Sequence, residues 1–500
     1  MSRILRNTLL VMAGTLSSRL LGQVRQTILT NLPLPDVIKD AFWVAYRIPN
    51  LLRELLAEGA VQNALIPVLT GLPPEEARAF ARRFGAFLLG VNMAILGLGL
   101  AFATQIASAL LWLAELSLAQ PSPLRDPAVF EQLVLLIRLA MPFLLFISMA
   151  SLFSSMLQSG ERFGATSFSP IAFNLGSIAL MLLFPSSVVA LGLSVALGGA
   201  LQALVQLPAL KGYGLEFRWH PAFRQALARI GPFAFTTSVR QFLNLILLSI
   251  LAAYPTAAVT GFQNGELLFT TALGLLAVSP AMAAFPRLST LASNGELDAA
   301  RELLLRIMVR LAVPLAFASA MLVALAPWMV GTLYAFTDNF SEANRAYTTQ
   351  TVMALGFALL PWGLNQLLLR GFYAVGQVSQ AVGVTVLVAL LNTLGYWLLR
   401  EQGLFVLNLA TALAGWLGLA IYVQRLQVFQ MARPGQVWRM TAKAALAAAP
   451  AGGTAYSVAI QFGTPAFFLY NIPPLALGGL AGLLVFVGLA YALRLPLKLR

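Results

Sequence analysis

Cysteine is absent from the 500 residues and histidine occurs once, as His220. Without thiols there are no disulfides, no thiolate nucleophile and no cysteine-ligated metal, and oxidation state carries no information about compartment. His220, in the loop sequence WHP, is expected to be solvated. Charge is also scarce, at 10% of residues, and acids are rarer than bases, 18 against 32. The longest loops, near 115–130, 208–229 and 286–308, hold no acid cluster of the kind a membrane glycosyl- or phosphotransferase needs for Mg²⁺ or general-base work. No Walker or glycine-rich phosphate loop points to direct ATP use.

Hydrophobic residues make up 59% of the chain and the mean hydropathy is +0.81, far outside soluble usage. Apolar runs of about 20 residues recur along the whole length, each able to cross a hydrocarbon core of about 30 Å as a helix. About fourteen spans are expected, near 8–30, 41–69, 85–114, 131–157, 167–184, 187–207, 230–253, 258–285, 309–335, 348–371, 378–398, 404–423, 441–461 and 472–493. A β-barrel is a poor alternative, because period-two alternation is absent and the runs are twice a barrel strand's length. Arg3 and Arg6 could open a secretory signal, but no small-x-small cleavage site follows and Arg19 interrupts the run, so 8–30 is read as the first helix.

Basic residues divide roughly 21 to 4 between the two sets of loops, which puts both termini in the cytoplasm. The net charge of +14 is thus mostly topological, with anionic headgroups as its neighbours. No basic stripe interleaved with aromatics suggests nucleic acid.

Topology leaves Arg19, Arg25, Arg47, Arg53, Arg138, Arg240 and Arg370 unexplained, all inside or at the margins of spans. Each costs about 2.5 to 3.5 kcal/mol at mid-membrane, so a polar interior is expected for them. Ser18, Arg19, Gly22, Gln23, Arg25 and Gln26 gather on one side of helix 1, and Arg47, Asn50, Glu54 and Glu58 on one side of helix 2, with Arg53 beside Asn50. The plainer alternative is a packing network in which Arg47 or Arg53 pairs with Asp40, Glu54 or Glu58. Four arginines against three acids favour an anion instead, and guanidinium geometry suits phosphate. Pro49, Gly59 and Pro67 loosen helix 2 where other groups or water must satisfy its carbonyls, which fits a cavity wall.

The segments SRLLGQVRQ (18–26), DAFWVAYRIPNLLRELLAEGA (40–60), LQSGERFGATSFSPIAFN (157–174), AFPRLS (284–289) and LLRGFYAVGQVSQAV (368–382) resemble the signature segments of the MurJ (MviN) lipid II flippases. The resemblance spans essentially the whole chain and implies the multidrug/oligosaccharidyl-lipid/polysaccharide exporter superfamily. It implies an all-α membrane protein with two six-helix lobes around a central cavity, 1–208 and 209–424, plus two C-terminal helices in 425–500 that form a groove for a polyprenyl tail. The implied activity is transfer of undecaprenyl-pyrophosphate-linked disaccharide-pentapeptide (lipid II) across the membrane by alternating access, with no enzymatic step, cofactor or metal. Lipid II, membrane lipids and cell-wall synthases are the implied partners.

By resemblance Arg19, Arg25 and Arg53 hold the positions of headgroup-binding arginines, and Ser18, Asp40 and Glu58 stand at further cavity positions. Asp40, Glu58 and Asn50 are expected to gate or balance charge. Gln26 stands where relatives commonly have an acid, and Leu267 where the eighth helix usually has an arginine, beside Glu266. Arg240 on helix 7 either supplies that missing charge or pairs with Glu266. A loose internal echo joins Pro142, GERFGAT and Asn174 to Pro361, GFYAVGQ and Asn392. Helices 7, 11 and 12 contain no Asp or Glu, so no carboxylate site for a coupling cation is evident. The competing readings are an exporter of another polyprenyl-linked oligosaccharide, a multidrug exporter of the same superfamily, which should carry acids in its N-lobe, and a non-transporting scaffold.

Overall fold

A computed structural model describes all residues except 1–2, 57–59, 119, 211–212, 429–433, 464, 466 and 497–500; side chains are also left undescribed at 3–9, 55–56, 60–64, 229, 231–240, 426–428 and 434. Among the described residues there are nineteen α-helices and no strand. The chain separates into two compact units, 1–259 and 260–500.

Unit 1 contains α1 (Arg3–Thr30), α2 (Asp36–Leu56), α3 (Ala60–Gly71), α4 (Pro74–Ala101), α5 (Ala103–Leu118), α6 (Pro127–Ala140), α7 (Pro142–Ser159), α8 (Phe163–Leu183), α9 (Val188–Leu204) and α10 (Phe223–Ala252). α11 (Ala258–Leu273) starts at the division. Unit 2 continues with α12 (Ser279–Ser293), α13 (Leu297–Ala324), α14 (Ala326–Tyr334), α15 (Glu342–Ala374), α16 (Val378–Leu399), α17 (Leu404–Val428), α18 (Pro434–Ala459) and α19 (Ile472–Ala492).

Nineteen helices and fourteen expected spans are the same count, because five spans are each built from two helices: α2/α3, α4/α5, α6/α7, α11/α12 and α13/α14. Proline explains three of the breaks. Pro142, Pro280 and Pro327 stand in the first turns of α7, α12 and α14, where each removes one N–H from the ladder that would join its helix to the one before. Between α11 and α12 the backbone widens into a π-turn over Gly274–Val278, and the Ser279 hydroxyl donates to the Gly274 carbonyl at 2.9 Å. Ten helical segments among the described residues are long and apolar enough to cross a membrane, with shorter apolar helices at Ala103–Leu118 and Gln241–Ala252. The expectation of a multi-span α-helical membrane protein holds, and α1 and α2, which carry the arginine stripes, are not among those ten.

In unit 1, α1 packs on α8, α8 on α9, and α2 on α6. The contact of α1 with α8 is so close that a Cβ on Gly14 would overlap the Ser167 carbonyl, the close backbone approach that small residues permit between membrane helices. α10 packs on α2, α3 and α5 and so belongs to the compact unit that runs to residue 259. Its last carbonyls take side-chain donors from the α5–α6 connection: Ser122 Oγ to Ala252 at 2.5 Å and Gln120 Nε2 to Ala253 at 2.9 Å. In unit 2, α15 packs on α13 and α17, and α18 on α13 and α19.

His220 is not solvated but 8% exposed, because the α9–α10 connection folds back on α4. Its ring meets Phe80 edge-on at 5.4 Å, and Nδ1 accepts the Ala222 N–H at 3.1 Å. Burial, and secondarily the charge of Arg83, lowers its pKa below the usual histidine value.

Candidate functional site

The polar stripe of α1 opens into a cavity of about 480 Å³ between α1 and α8, lined by Gly14, Thr15, Ser18, Arg19, Gln158, Thr166 and Ser167 among others. Gly14 makes room at its wall, and Arg19 is exposed there. Pro170 inside α8 leaves the Thr166 carbonyl without its helical N–H donor, and Ser169 Oγ donates to it at 3.1 Å; one turn on, Asn174 donates its side-chain amide Nδ2 to the Pro170 carbonyl at 3.0 Å. The same amide reaches the Ser18 carbonyl at 3.2 Å and lies 3.5 Å from the Ser18 hydroxyl, fixing α1 against α8 at the cavity.

Two turns further along α1, the Arg25 guanidinium lies 5.1 Å from the Phe173 ring centroid. Its Nε is buried and has no hydrogen-bond partner among the described residues. Arg53 of α2 lies close enough for its charge to act on it. Two cations near one another with an uncommitted donor suit an anion that can take both.

On α2 the expected stripe forms a connected network. Arg53 Nε donates to Asn50 Oδ1 at 3.1 Å, Asn50 Nδ2 lies 3.4 Å from Glu54 Oε1, and Arg53 Nη2 is 3.8 Å from the same oxygen. The network continues into α10 through Gln241, which is 1% exposed. Gln241 accepts from Arg47 Nη2 at 3.0 Å and donates through Nε2 to Glu54 Oε2. Reading by sequence did not single out Gln241, although a glutamine beside Arg240 in an apolar helix was a visible signal.

Asp40 is 4% exposed at the other end of α2, and its Oδ2 accepts the Ala257 N–H at 2.7 Å. Ala257 has φ +77°, in the left-handed region that a residue with a Cβ rarely adopts, so this bond holds a strained corner after α10. Neighbouring Lys39 is fully buried and donates to the Thr30 carbonyl at 2.9 Å and to Asp36 at 3.2 Å. Asp40 and Arg53 stand at opposite ends of α2, nearly four turns apart.

Glu58 lies outside the described residues, and of Arg240 only the backbone position in α10 is described. Arg138 is exposed on α6. In unit 2 Arg370 donates to the Gln366 carbonyl at 3.1 Å.

Unit 2 has its own cavity of about 530 Å³, nearly all apolar, walled by Ala316, Ala320 and Ala324 of α13, Met353 and Phe357 of α15, Trp416 of α17, and Ala448, Gly452 and Tyr456 of α18. Small residues on α13 and α18 leave the space, and α19 contributes none of the lining.

The model of the lipid II flippase MurJ family matches residues 35–477. A lipid II flippase MurJ from Burkholderia cenocepacia is 29% identical over 429 residues, covering 80% of this chain and 80% of its own. A relative from Vibrio cholerae is 29% identical over 529 aligned positions, covering 100% of this chain and 97% of its own. Among solved structures, a lipid II flippase MurJ in an inward closed conformation matches with a TM-score of 0.79 at 18% identity, covering 97% of this chain and 99% of that one. A multidrug resistance MATE family transporter of the MOP superfamily matches with 0.62 at 12% identity over 82% of this chain, a likeness of fold alone. With the family model covering most of its length, the chain belongs to the lipid II flippase MurJ family.

Proposed function

We propose that this protein moves lipid II from the inner to the outer leaflet of the cytoplasmic membrane and that Arg19, Arg25 and Arg53 are its pyrophosphate ligands. The observation that carries this reading is the placing of guanidinium groups on α1 and α2, with Arg19 on the α1–α8 cavity and Arg25 within the electrostatic reach of Arg53. A pyrophosphate needs cationic forks, and the sugar-peptide headgroup needs a polar path through the hydrocarbon. Ser18 lines the same cavity as Arg19 and adds a neutral donor.

Asn50 and Glu54 orient Arg53, and Gln241 links that orientation to α10. Asp40 holds the corner after α10, a contact suited to gating because it depends on one carboxylate. Glu58 is proposed to balance charge on the same helix, and Arg240 to act as a further cation for the headgroup. The moving parts in this reading are lobes of 1–208 and 209–424, working by alternating access, with 425–500 serving the polyprenyl tail. The apolar cavity beside α18 has the lining a hydrocarbon chain requires. Both termini are cytoplasmic by the distribution of basic loops, and cell-wall synthases are the partners that would supply and consume such a cargo.

The test is whether the chain restores surface exposure of lipid II in cells depleted of their own flippase. Wild type should rescue, and Arg19→Ala, Arg25→Ala and Arg53→Ala should each fail while remaining expressed in the membrane. A well-folded wild type that fails points to another polyprenyl-linked cargo. Rescue by all three variants returns the arginines to a packing role.

A further inference from the structure

The α9–α10 connection is a fixed strap. After a 3₁₀ turn at Leu207–Leu210, residues 213–220 take no helical turn and lie against α4. The Glu216 N–H donates to the Arg82 carbonyl at 3.3 Å, and Arg83 pairs with the Glu216 carboxylate at 2.9 Å. Tyr213 stands edge-on to Phe153 at 5.1 Å and fills the space a Cβ would need at Gly85. Trp219 meets Phe223 at 4.9 Å.

Despite these ties the strap turns apolar side chains outward. Phe217 is 78% exposed and Trp219 61% exposed. Exposed Arg218 lies between them, and exposed Arg78, Arg82 and Arg224 lie on the two helices that flank the strap. Rings held in place and ringed by cations require a cover that is apolar and anionic together.

The depth of the strap in the fold identifies that cover. α8 has 21 residues, and at 1.5 Å per residue it is about 31 Å long, the thickness of the hydrocarbon core. Arg162, which caps its start, donates to the Ala209 carbonyl at 3.1 Å, so the strap begins level with one end of a membrane-length helix. Exposed Leu204, Val205 and Leu207 lead straight into it, continuing the lipid-facing surface.

We propose that the strap is a membrane-surface anchor selective for anionic phospholipid headgroups. Phe217 and Trp219 enter the interface while Arg82 and Arg218 meet the lipid phosphates. On the orientation proposed above this is the cytoplasmic leaflet; the inference does not depend on the cargo. A basic side chain near an anionic surface favours it about fivefold, so the pair gives a preference of about 25-fold.

The full chain in nanodiscs tests this through Trp219 fluorescence, isolated as the difference between wild type and Trp219→Phe. The probe is phosphatidylglycerol or phosphatidylcholine brominated near the headgroup and diluted into unbrominated phosphatidylcholine. Trp219 should be quenched by the brominated lipid and shielded from aqueous acrylamide. Quenching should need about 25-fold less phosphatidylglycerol than phosphatidylcholine, and Arg82→Gln with Arg218→Gln should erase that difference. A Trp219 component quenched by acrylamide and untouched by brominated lipid would overturn the anchor and leave a protein partner as the cover. Equal quenching by both lipids would overturn the anionic selectivity. Should Trp219→Phe fail to fold, Phe217→Trp adds a reporter on the same strap, read as its difference from wild type.

Discussion

Replacing Gln241 by leucine separates α10 from α2 at their shared polar contact while keeping the buried volume. The amide joins Arg47 and Glu54, seven residues apart on α2 and so about 10.5 Å apart along its axis. Each end bonds a charged group, worth about 1.5 kcal/mol at the low end because both charged partners are only half-buried. Losing both weakens the local docking of α10 by about 3 kcal/mol. At about 1.4 kcal/mol per factor of ten, local opening becomes about a hundredfold more frequent. Hydrogen exchange of the amides in 242–252, measured on purified wild type and Gln241→Leu in the same nanodiscs, reads this directly. Gln241→Glu keeps the acceptor for Arg47 but sets a carboxylate against Glu54, and should fall between the two. Exchange in 242–252 that changes by less than about threefold in Gln241→Leu would refute the bridge as the hold on α10.

Three further outcomes follow from the geometry. Ala257→Gly should stabilise the corner by about 1 kcal/mol, seen as a higher melting temperature, because glycine adopts φ +77° without a Cβ clash; Asp40→Ala should lower it by removing the acceptor for the Ala257 N–H. His220 has a folded pKa below its unfolded value of about 6.5, so the unfolded chain binds more protons below that pH; stability is full above it and falls as pH drops toward the folded pKa. His220→Phe should flatten this acid limb of a melting-temperature profile. Ala448→Trp should fill the α13–α18 cavity and reduce transport of long-tailed lipid II more than that of a short-tailed analogue, in transport assays on reconstituted vesicles.

The helices were legible wherever apolar runs carried them, and so were the two arginine stripes, because each is a property of one helix. The breaks were only partly legible: Pro142 and Pro327 mark theirs, while the break at Phe102 carries no proline signal. What sequence could not reach were contacts between distant segments. Asp40 meets Ala257 across 217 positions and Glu54 meets Gln241 across 187, and neither pairing leaves a local periodicity. His220 was misread for the same reason, since nothing in WHP announces that the strap lies on Phe80.

Asn174 ties α8 to α1 chiefly through a main-chain carbonyl, that of Ser18, while holding the Pro170 carbonyl of its own helix. Every amino acid supplies a carbonyl, so position 18 can drift in type, as far as this tie is concerned, without loosening the two helices. Position 174 has no such freedom, because only a short side chain with an N–H₂ can reach both oxygens. The constraint on the pair is therefore one-sided, and a library randomised at both positions should show residue 174 nearly fixed for helix pairing and residue 18 selected only by what enters the cavity.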